Sequence, residues 1–289
     1  MEKKQIVLTA DIGGTHITSA QVDLCNRKII PGTILRSEIN SLGTAETIID
    51  EISNNLNATL SKCSAMIHGI GIAMPGPMDY DLGICRIREQ GKFFSLYNLD
   101  LKALLAEKLS IEMHKINFIN DAAAFLQGEI FAGSLKNSEN SLGITLGTGL
   151  GSAHAVKQNA EDSNLWCMPF RSGIAEDYLS SRWFIERFYE LSGIRAVNVY
   201  SLISSQRSAT FLDQLFCEFK VNLAHFIDMV CSQKEVSSVV LGGNISLAEE
   251  FFVRGTKDIL KHYYKREVAV QRSKLGEEAT LFGAAMICC

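Results

Sequence analysis

The sequence predicts an α/β protein built from two similar halves. Apolar runs of strand length alternate with helical segments, in the order β-β-β-α-β-α-β-α in the first half. A glycine-rich turn between two strand-like runs occurs once in each half, at residues 10–15 and 145–151. These observations predict two α/β domains, 1–119 and 120–276, with a final helix at about 277–289 as a candidate to pack back on the first domain.

The elements of the first half follow from their apolar patterns. The predicted strands are 6–10, 17–22, 29–35, 66–73 and 115–119. The predicted helices are 44–60, 99–109 and 122–132. Apolar residues at helical spacing define the first of these helices: Ile48, Ile49, Ile52, Leu56 and Leu60. The sequence Pro75-Gly76-Pro77 ends the fourth strand in a turn.

The second half repeats this organisation. Its predicted strands are 142–146, 152–156, 236–241 and 268–270. Its predicted helices are 175–189, 211–231, 247–264 and 277–288. No low-complexity linker separates the halves, so any hinge between them is expected to be built from short connections.

The composition argues against several classes of protein. With 289 residues, 47% of them hydrophobic and 21% charged, the chain is long enough to bury a sizeable core. A net charge of -4 without a Lys/Arg cluster argues against nucleic-acid binding. No apolar run has the length of a membrane span, and Met1 leads directly into a strand, so we expect a cytoplasmic protein without a targeting segment. The eight cysteines show no Cys-x-x-Cys spacing, which predicts reduced thiols.

The two glycine-rich turns are candidates for phosphate binding. Glycine lacks a Cβ, so its amide can approach a ligand oxygen, and successive turn amides form an anion-binding concavity. For either turn alone, an ordinary hairpin is the favoured interpretation. The pair favours a nucleotide phosphate chain held from both sides. The residues concerned are Gly13, Gly14, Thr15, Gly147, Thr148 and Gly149.

Asp11, directly before the first turn, indicates a metal ion. A carboxylate beside phosphate is repelled unless a cation lies between them. Mg²⁺ bridges such pairs through one or two carboxylates, substrate phosphates and water. Asp11 therefore predicts Mg²⁺-ATP, with the metal bound through water or phosphate. Neither turn is a P-loop, which requires Gly-x-x-x-x-Gly-Lys-Ser/Thr at the start of a helix.

Three further sites each have a structural and a functional interpretation. Asn120 and Asp121 lie where a strand ends and a helix begins, as a helix N-cap or as a catalytic base. Gly242 and Gly243 end a strand, either as a tight turn or as a flat surface against adenine or ribose. Glu176 lies near a predicted helix start, where the helix dipole favours an acid without any function. For each site alone, the structural interpretation is favoured.

Together these motifs resemble the ROK family (repressors, open reading frames and kinases), part of the sugar kinase–actin–chaperone ATPase superfamily. The matching motifs occur in family order along almost the whole chain. They are Asp11-x-Gly13-Gly14-Thr15 followed by Asp23, Gly71 to Asp79, Asn120-Asp121-Ala122, Gly128-Glu129, Gly147-Thr148-Gly149-x-Gly151, Gly173 to Ser180, Gly242-Gly243 and Glu277 to Ala285. The resemblance implies two ribonuclease-H-like (actin-like ATPase) domains with a cleft between them.

The resemblance also implies an activity: ATP-dependent phosphorylation of a hexose at its primary 6-hydroxyl, as in a glucokinase. Asp121 would be the general base, and Asn120, Glu176 and Gly76 would lie at the sugar. Mg²⁺ and the phosphates would be surrounded by both glycine turns and Asp11, and adenosine would contact the Gly242-Gly243 motif. A homodimer is a family-level expectation. Glucose, an N-acetylated hexosamine and mannose are all candidate acceptors.

The sequence departs from the family between residues 160 and 171. The family's Gly-Glu-x-Gly-His stretch and its Cys-x-Cys-Gly-x-x-Gly-Cys zinc motif are absent there, and Ile174 occupies the position of a motif cysteine. We therefore predict no structural zinc site. The sugar pocket also loses an expected Glu and His. Trp166 and Phe170 are candidates to line it, or are part of the core.

Two other functions remain as alternatives. A non-catalytic, sugar-sensing regulator without a DNA-binding domain would fit the missing Glu-x-Gly-His stretch. Repressor members carry a helix-turn-helix domain before the first phosphate motif, which here begins within ten residues of Met1 and favours the kinase. An actin-like or chaperone-like ATPase is less favoured, because the segments around Asn120 and Glu176 fit a sugar site better.

Overall fold

A computed structural model describes residues 5–62, 66–88, 91–136, 138–204 and 209–289. The chain divides into two compact units. One comprises Met1–Lys136 with Glu277–Cys289, and the other Asn137–Gly276. Within the described ranges, no helix is both long enough and apolar enough to cross a membrane.

The first unit is built on a mixed sheet with the strand order β3-β2-β1-β5-β8, and β4 pairs with β2. The sheet strands are β1 (Ile6–Ile12), β2 (His16–Asp23), β3 (Lys28–Ile29), β4 (Leu35–Glu38), β5 (Ile67–Met74) and β8 (Ile116–Asn120). The other elements are α1 (Ala45–Leu60), the short hairpin β6 (Met78–Asp79) and β7 (Ile84–Cys85), α2 (Leu101–Leu109), α3 (Asp121–Phe131) and α8 (Glu278–Met286). Because β1, β5 and β8 are parallel, their carboxyl ends lie at one edge of the sheet.

The second unit has the same plan, with the strand order β11-β10-β9-β14-β15. Its sheet strands are β9 (Asn140–Leu146), β10 (Leu150–Val156), β11 (Asn159–Asp162), β14 (Ser238–Gly242) and β15 (Ala269–Arg272). The other elements are the hairpin β12 (Pro169–Phe170) and β13 (Gly173–Ile174), and the helices α4 (Ser181–Ser192), α5 (Val199–Ser204), α6 (Ala209–Cys231) and α7 (Glu249–His262). Each sheet therefore contains an antiparallel hairpin, as the glycine turns indicated, and two further strands that run parallel to the first strand of that hairpin.

Helices α3 and α8 meet at backbone contact distance. An ideal Cβ on Gly128 would lie 1.8 Å from the carbonyl oxygen of Ala279, and one on Gly283 would lie 1.8 Å from that of Ala124. A Cβ on Gly71 of β5 would lie 1.8 Å from the carbonyl oxygen of Ala284 in α8. This packing makes α3 and α8 parts of one unit, so the first unit continues to Lys136 instead of ending near residue 120.

Two predicted elements differ from the structure. The strand predicted at 29–35 is two short strands, β3 and β4, because Pro31-Gly32 makes a turn in which Thr33 donates its N–H to the Ile30 carbonyl (3.2 Å). The helix predicted at 175–189 begins only at Ser181. Residues 175–177 form a 3₁₀ turn, in which the Asp177 carboxylate accepts the N–H of Ile174 (3.0 Å).

An aromatic cluster occupies the part of the chain where the family has its zinc motif. Phe170 is buried against Tyr178, His225 and Phe226, with ring centroids 5.3–6.4 Å away. Phe170 is therefore a core residue, whereas Trp166 is exposed. No group of three or more His, Cys, Asp or Glu residues suited to a metal occurs within the described ranges. The expected lack of structural zinc stays a prediction.

Candidate active site

The first glycine turn is a tight hairpin between β1 and β2. The Gly13 N–H donates to the His16 carbonyl (2.9 Å), and the Ser41 hydroxyl donates to the Gly14 carbonyl (2.5 Å). An ideal Cβ on Gly14 would lie 3.3 Å from Cδ of Lys92. Neither Gly13 nor Gly14 has a positive φ, so a left-handed backbone does not explain the two glycines. Thr15 is exposed at the tip.

Asp11 lies in an environment that disfavours its charge. Burial, together with the carboxylates of Asp121 and Glu277, raises the pKa of its carboxyl group from 3.8 to about 7, while Arg36 opposes them. Arg36 also forms an ion pair with Glu277 (3.1 Å). A cation near Asp11 would relieve this repulsion. Mg²⁺ bound with a nucleotide needs only one or two protein carboxylates, so the residues present fit Mg²⁺ carried by a phosphate ligand.

Replacing the charge on Asp11 should stabilise the metal-free protein. Since the folded-state pKa lies above 3.8, the unfolded chain loses the proton first, and the wild type is progressively destabilised from about pH 4 to about pH 7. In EDTA, Asp11→Asn should therefore have a higher Tm than the wild type. The difference in Tm should widen over this pH range and stay constant above it. Asp258→Asn, an exposed position on α7, is the matched control and should not show this gain. A margin independent of pH would contradict the account.

Asn120, at the carboxyl end of β8, caps helix α3. Its Oδ1 accepts the N–H groups of Ala122 (2.8 Å) and Ala123 (3.2 Å). Its Nδ2 donates to the Tyr80 hydroxyl (3.1 Å), which donates to the Met74 carbonyl at the end of β5 (3.1 Å). The structural interpretation of Asn120 is thus correct, and its amide is also fixed at the strand edge.

Tyr80, which was not among the residues predicted from the sequence, lies against both Gly76 and Asn120. An ideal Cβ on Gly76 would lie 2.9 Å from the Tyr80 hydroxyl oxygen. The close approach of the tyrosine hydroxyl therefore favours glycine at position 76. The sequence feature that could have identified Tyr80 is its position shortly after the Pro75-Gly76-Pro77 turn. Gly76, Tyr80 and Asn120 form one polar contact group.

Asp121 is the first residue of α3 and is exposed to solvent. Since Asn120 supplies the cap, the helix does not depend on the Asp121 carboxylate for that purpose. The Oδ1 of Asp121 accepts the N–H of Ala122 (2.8 Å), and its charge raises the pKa of Asp11. The carboxyl edge of β1, β5 and β8 thus brings together Asp11, Gly76, Asn120 and Asp121.

The second glycine turn, between β9 and β10, is held by the segment that precedes and begins α4. The Gly147 N–H donates to the Gly149 carbonyl (3.0 Å), and the Gly147 carbonyl accepts both the N–H and the hydroxyl of Ser181 (2.8 Å each). Oε2 of Glu176 accepts the N–H of Leu150 (3.0 Å). An ideal Cβ on Gly149 would lie only 2.6 Å from this oxygen, so Glu176 itself favours glycine there.

Gly242 and Gly243 lie beside the start of the second turn. Gly242 ends β14 opposite Thr145 of β9. Gly243 has a φ of 78°, and an ideal Cβ on it would lie 2.4 Å from the Leu146 carbonyl oxygen. Backbone conformation and close packing therefore both favour glycine at 243, which is the structural interpretation of this motif. The arrangement also places the pair next to the second turn.

The predicted residues are thus assembled in two groups, one in each unit. The group in the first unit consists of Asp11, Gly13, Gly14, Thr15, Gly76, Asn120 and Asp121. The group in the second unit consists of Gly147, Thr148, Gly149, Glu176, Gly242 and Gly243. Each group lies at the carboxyl edge of parallel strands, where ligands of open α/β sheets bind.

Comparison with known proteins identifies the family. The model of the ROK family matches residues 7–162, more than half of the chain. The chain belongs to the ROK family. The match includes both glycine turns and the Asn120-Asp121 pair. A comparison with curated protein sequences finds no match.

Several solved structures share the mixed α/β fold over nearly the whole of this chain. The inorganic polyphosphate/ATP-glucomannokinase of Arthrobacter sp. strain KM is 23% identical, with a TM-score of 0.73 and 98% of each chain covered. A Streptomyces griseus ROK glucokinase in complex with glucose and AMPPNP is 18% identical, with a TM-score of 0.76 and 98% of each chain covered. A ROK transcriptional regulator homologous to the E. coli MLC protein is 15% identical, with a TM-score of 0.81; the match covers 99% of this chain and 78% of the regulator.

Proposed function

We propose that this ROK protein is a sugar kinase that transfers a phosphoryl group from ATP to the primary 6-hydroxyl of a hexose. The position of Asp121 carries the proposal. Its carboxylate is exposed at the start of α3, at the same sheet edge as the first glycine turn, while Asn120 caps the helix. Asp121 acts as the general base that takes the proton of the attacking hydroxyl, a contribution of roughly 10²–10⁴-fold.

The donor is bound by both glycine turns. Backbone amides and the hydroxyls of Thr15 and Thr148 bind the phosphates, and the Gly242-Gly243 turn lies against adenosine. Asp11 would hold Mg²⁺ through water or phosphate, and the metal would neutralise charge on the phosphates. The remaining work of the protein is positioning, since phosphoryl transfer requires little covalent chemistry from side chains. The AMPPNP complex of the Streptomyces glucokinase supports ATP as the donor.

The acceptor binds beside the polar contact group of Gly76, Tyr80 and Asn120. The second amide hydrogen of Asn120 is suited to a sugar hydroxyl. The Glu176 carboxylate, a sugar ligand in the resemblance, is instead bound by Arg182 and by the Leu150 N–H. The glucose complex of the Streptomyces enzyme supports a hexose of this size. The segment 160–171 departs from the family, so we expect the preferred sugar to be decided by this chain's own residues.

The test of the kinase function is ADP release with a panel of hexoses in the presence of Mg²⁺-ATP. We expect at least one of glucose, mannose and N-acetylated hexosamines to raise ADP release at least tenfold above the rate without sugar. Hydrolysis indifferent to every sugar would instead support an ATPase of the actin or chaperone type. Tight sugar binding without ADP release would support the regulator, whose fold is also shared with this chain.

A further inference from the structure

Arg182 and Glu176 form an ion pair beneath the second glycine turn. The Arg182 guanidinium binds Oε1 of Glu176, while Oε2 of the same carboxylate accepts the N–H of Leu150 (3.0 Å). Both carboxylate oxygens are therefore occupied, one by a charge and one by the backbone at the end of the turn. The Glu176 side chain is 19% exposed and that of Arg182 is 59% exposed. The carboxylate is therefore largely shielded from solvent, whereas the guanidinium that binds it is mostly exposed.

The neighbouring residue fixes the other end of the turn. Both the N–H and the hydroxyl of Ser181 donate to the Gly147 carbonyl (2.8 Å each). The turn is thus held at Gly147 by the residue before Arg182, and at Leu150 through the carboxylate that Arg182 binds. The conformation of the second turn depends on the first residues of α4 as well as on its own glycines.

We infer that Arg182 is a positioning residue for the phosphate donor, an inference that rests on the proposed function of the second turn. Arg182 acts through Glu176: the guanidinium holds the carboxylate, and the carboxylate holds the N–H of Leu150 directly after Gly149. The planar guanidinium binds a carboxylate in a fixed geometry, whereas a lysine ammonium is a mobile point charge. Arg182→Lys therefore keeps the positive charge but only part of the positioning of the Glu176 carboxylate.

The experiment measures binding of Mg²⁺-AMPPNP by calorimetry together with ATP kinetics at a saturating hexose. Arg182→Ala should raise the Kd for Mg²⁺-AMPPNP and the KM for ATP about fivefold each, at the upper end for a partly exposed ion pair. The kcat should change less than twofold, and Arg182→Lys should recover part of the affinity. Arg254→Ala, an exposed arginine on α7, is the matched control and should bind like the wild type.

A double-mutant cycle tests the route through Glu176. Glu176→Gln can still accept the Leu150 N–H but cannot form the ion pair, so adding Arg182→Ala to it should weaken binding no further. Unchanged nucleotide affinity in Arg182→Ala, or effects that multiply in the double variant, would overturn the inference. If the wild type binds Mg²⁺-AMPPNP in an Arg182-dependent way but releases no ADP with any hexose, the inference stands and the kinase function fails. A wild type that does not bind Mg²⁺-AMPPNP overturns both.

Discussion

Asp121→Asn should lower kcat at least 100-fold and leave the Kd values for Mg²⁺-AMPPNP and for the hexose within about twofold. The expected loss is that of a general base, roughly 10²–10⁴-fold. The fold should tolerate the change, because Asn120 provides the cap of α3 and an asparagine at 121 can still accept the Ala122 N–H. Steady-state ADP release and calorimetric binding measure the two halves of this prediction.

The control for Asp121→Asn is a carboxylate at another helix start in the same unit. Asp100 caps α2, where its Oδ1 accepts the Ala103 N–H (2.9 Å), and we assign it no part in the chemistry. Asp100→Asn should therefore keep near-normal turnover, since asparagine is as good an N-cap as aspartate. Near-normal turnover in Asp121→Asn would remove Asp121 from the role of base.

Gly128→Ala should destabilise the protein by about 3 kcal/mol, at the upper end for an overpacked core. In an ordinary helix interior, the same change stabilises by about 1 kcal/mol. Here the new methyl group would lie 1.8 Å from the Ala279 carbonyl oxygen, so α3 and α8 would have to separate. Both helices pack at the sheet that carries Asp11, and Asp121 begins α3, so urea unfolding and kcat should both respond.

Gly276 is the control that separates crowding from the general effect of adding a methyl group. It has a φ of 60° and no atom within 4 Å of an ideal Cβ. Gly276→Ala should therefore lose only the roughly 1–2 kcal/mol of a strained backbone. If Gly128→Ala were as stable as the wild type or more stable, the close contact between α3 and α8 would be wrong.

Local patterns in the sequence predicted most of the sheet. The apolar runs around the two glycine turns correspond to β1, β2, β9 and β10, because strand pairing across a short turn depends on neighbouring residues. The short strands β3, β4 and β11 were missed or misplaced, because two to four residues carry too little pattern to identify a strand. The divergent segment 160–171 has no residues at metal-ligand spacing. Its Phe170 packs against His225 and Phe226 of α6, which are distant in the sequence, so local patterns could not predict this packing.

The candidate site was predicted by residue type, whereas the division of tasks within it required the structure. From local sequence, the pair Asn120 and Asp121 was favoured as a helix cap without a decision on which residue provides it, and the hydrogen bonds assign the cap to Asn120. Tyr80 and Arg182 were not predicted, since each acts through a contact with a residue that local patterns do not link to it. Gly128-Glu129 matched a family motif. The structure gives a reason for each residue of this motif. Gly128 allows the close crossing of α3 with α8, and the Glu129 carboxylate accepts the N–H and the hydroxyl of Ser134 (2.7 and 2.6 Å) in the turn after α3.

The most direct test is a crystal structure of the protein with Mg²⁺-AMPPNP and the hexose that gives the fastest ADP release. The account predicts that amides of residues 13–15 and of residues 147–149 bind the same polyphosphate. It also predicts the Asp121 carboxylate within hydrogen-bond distance of the 6-hydroxyl of the sugar. Phosphates bound by only one of the two turns, or a 6-hydroxyl that points away from Asp121, would contradict it.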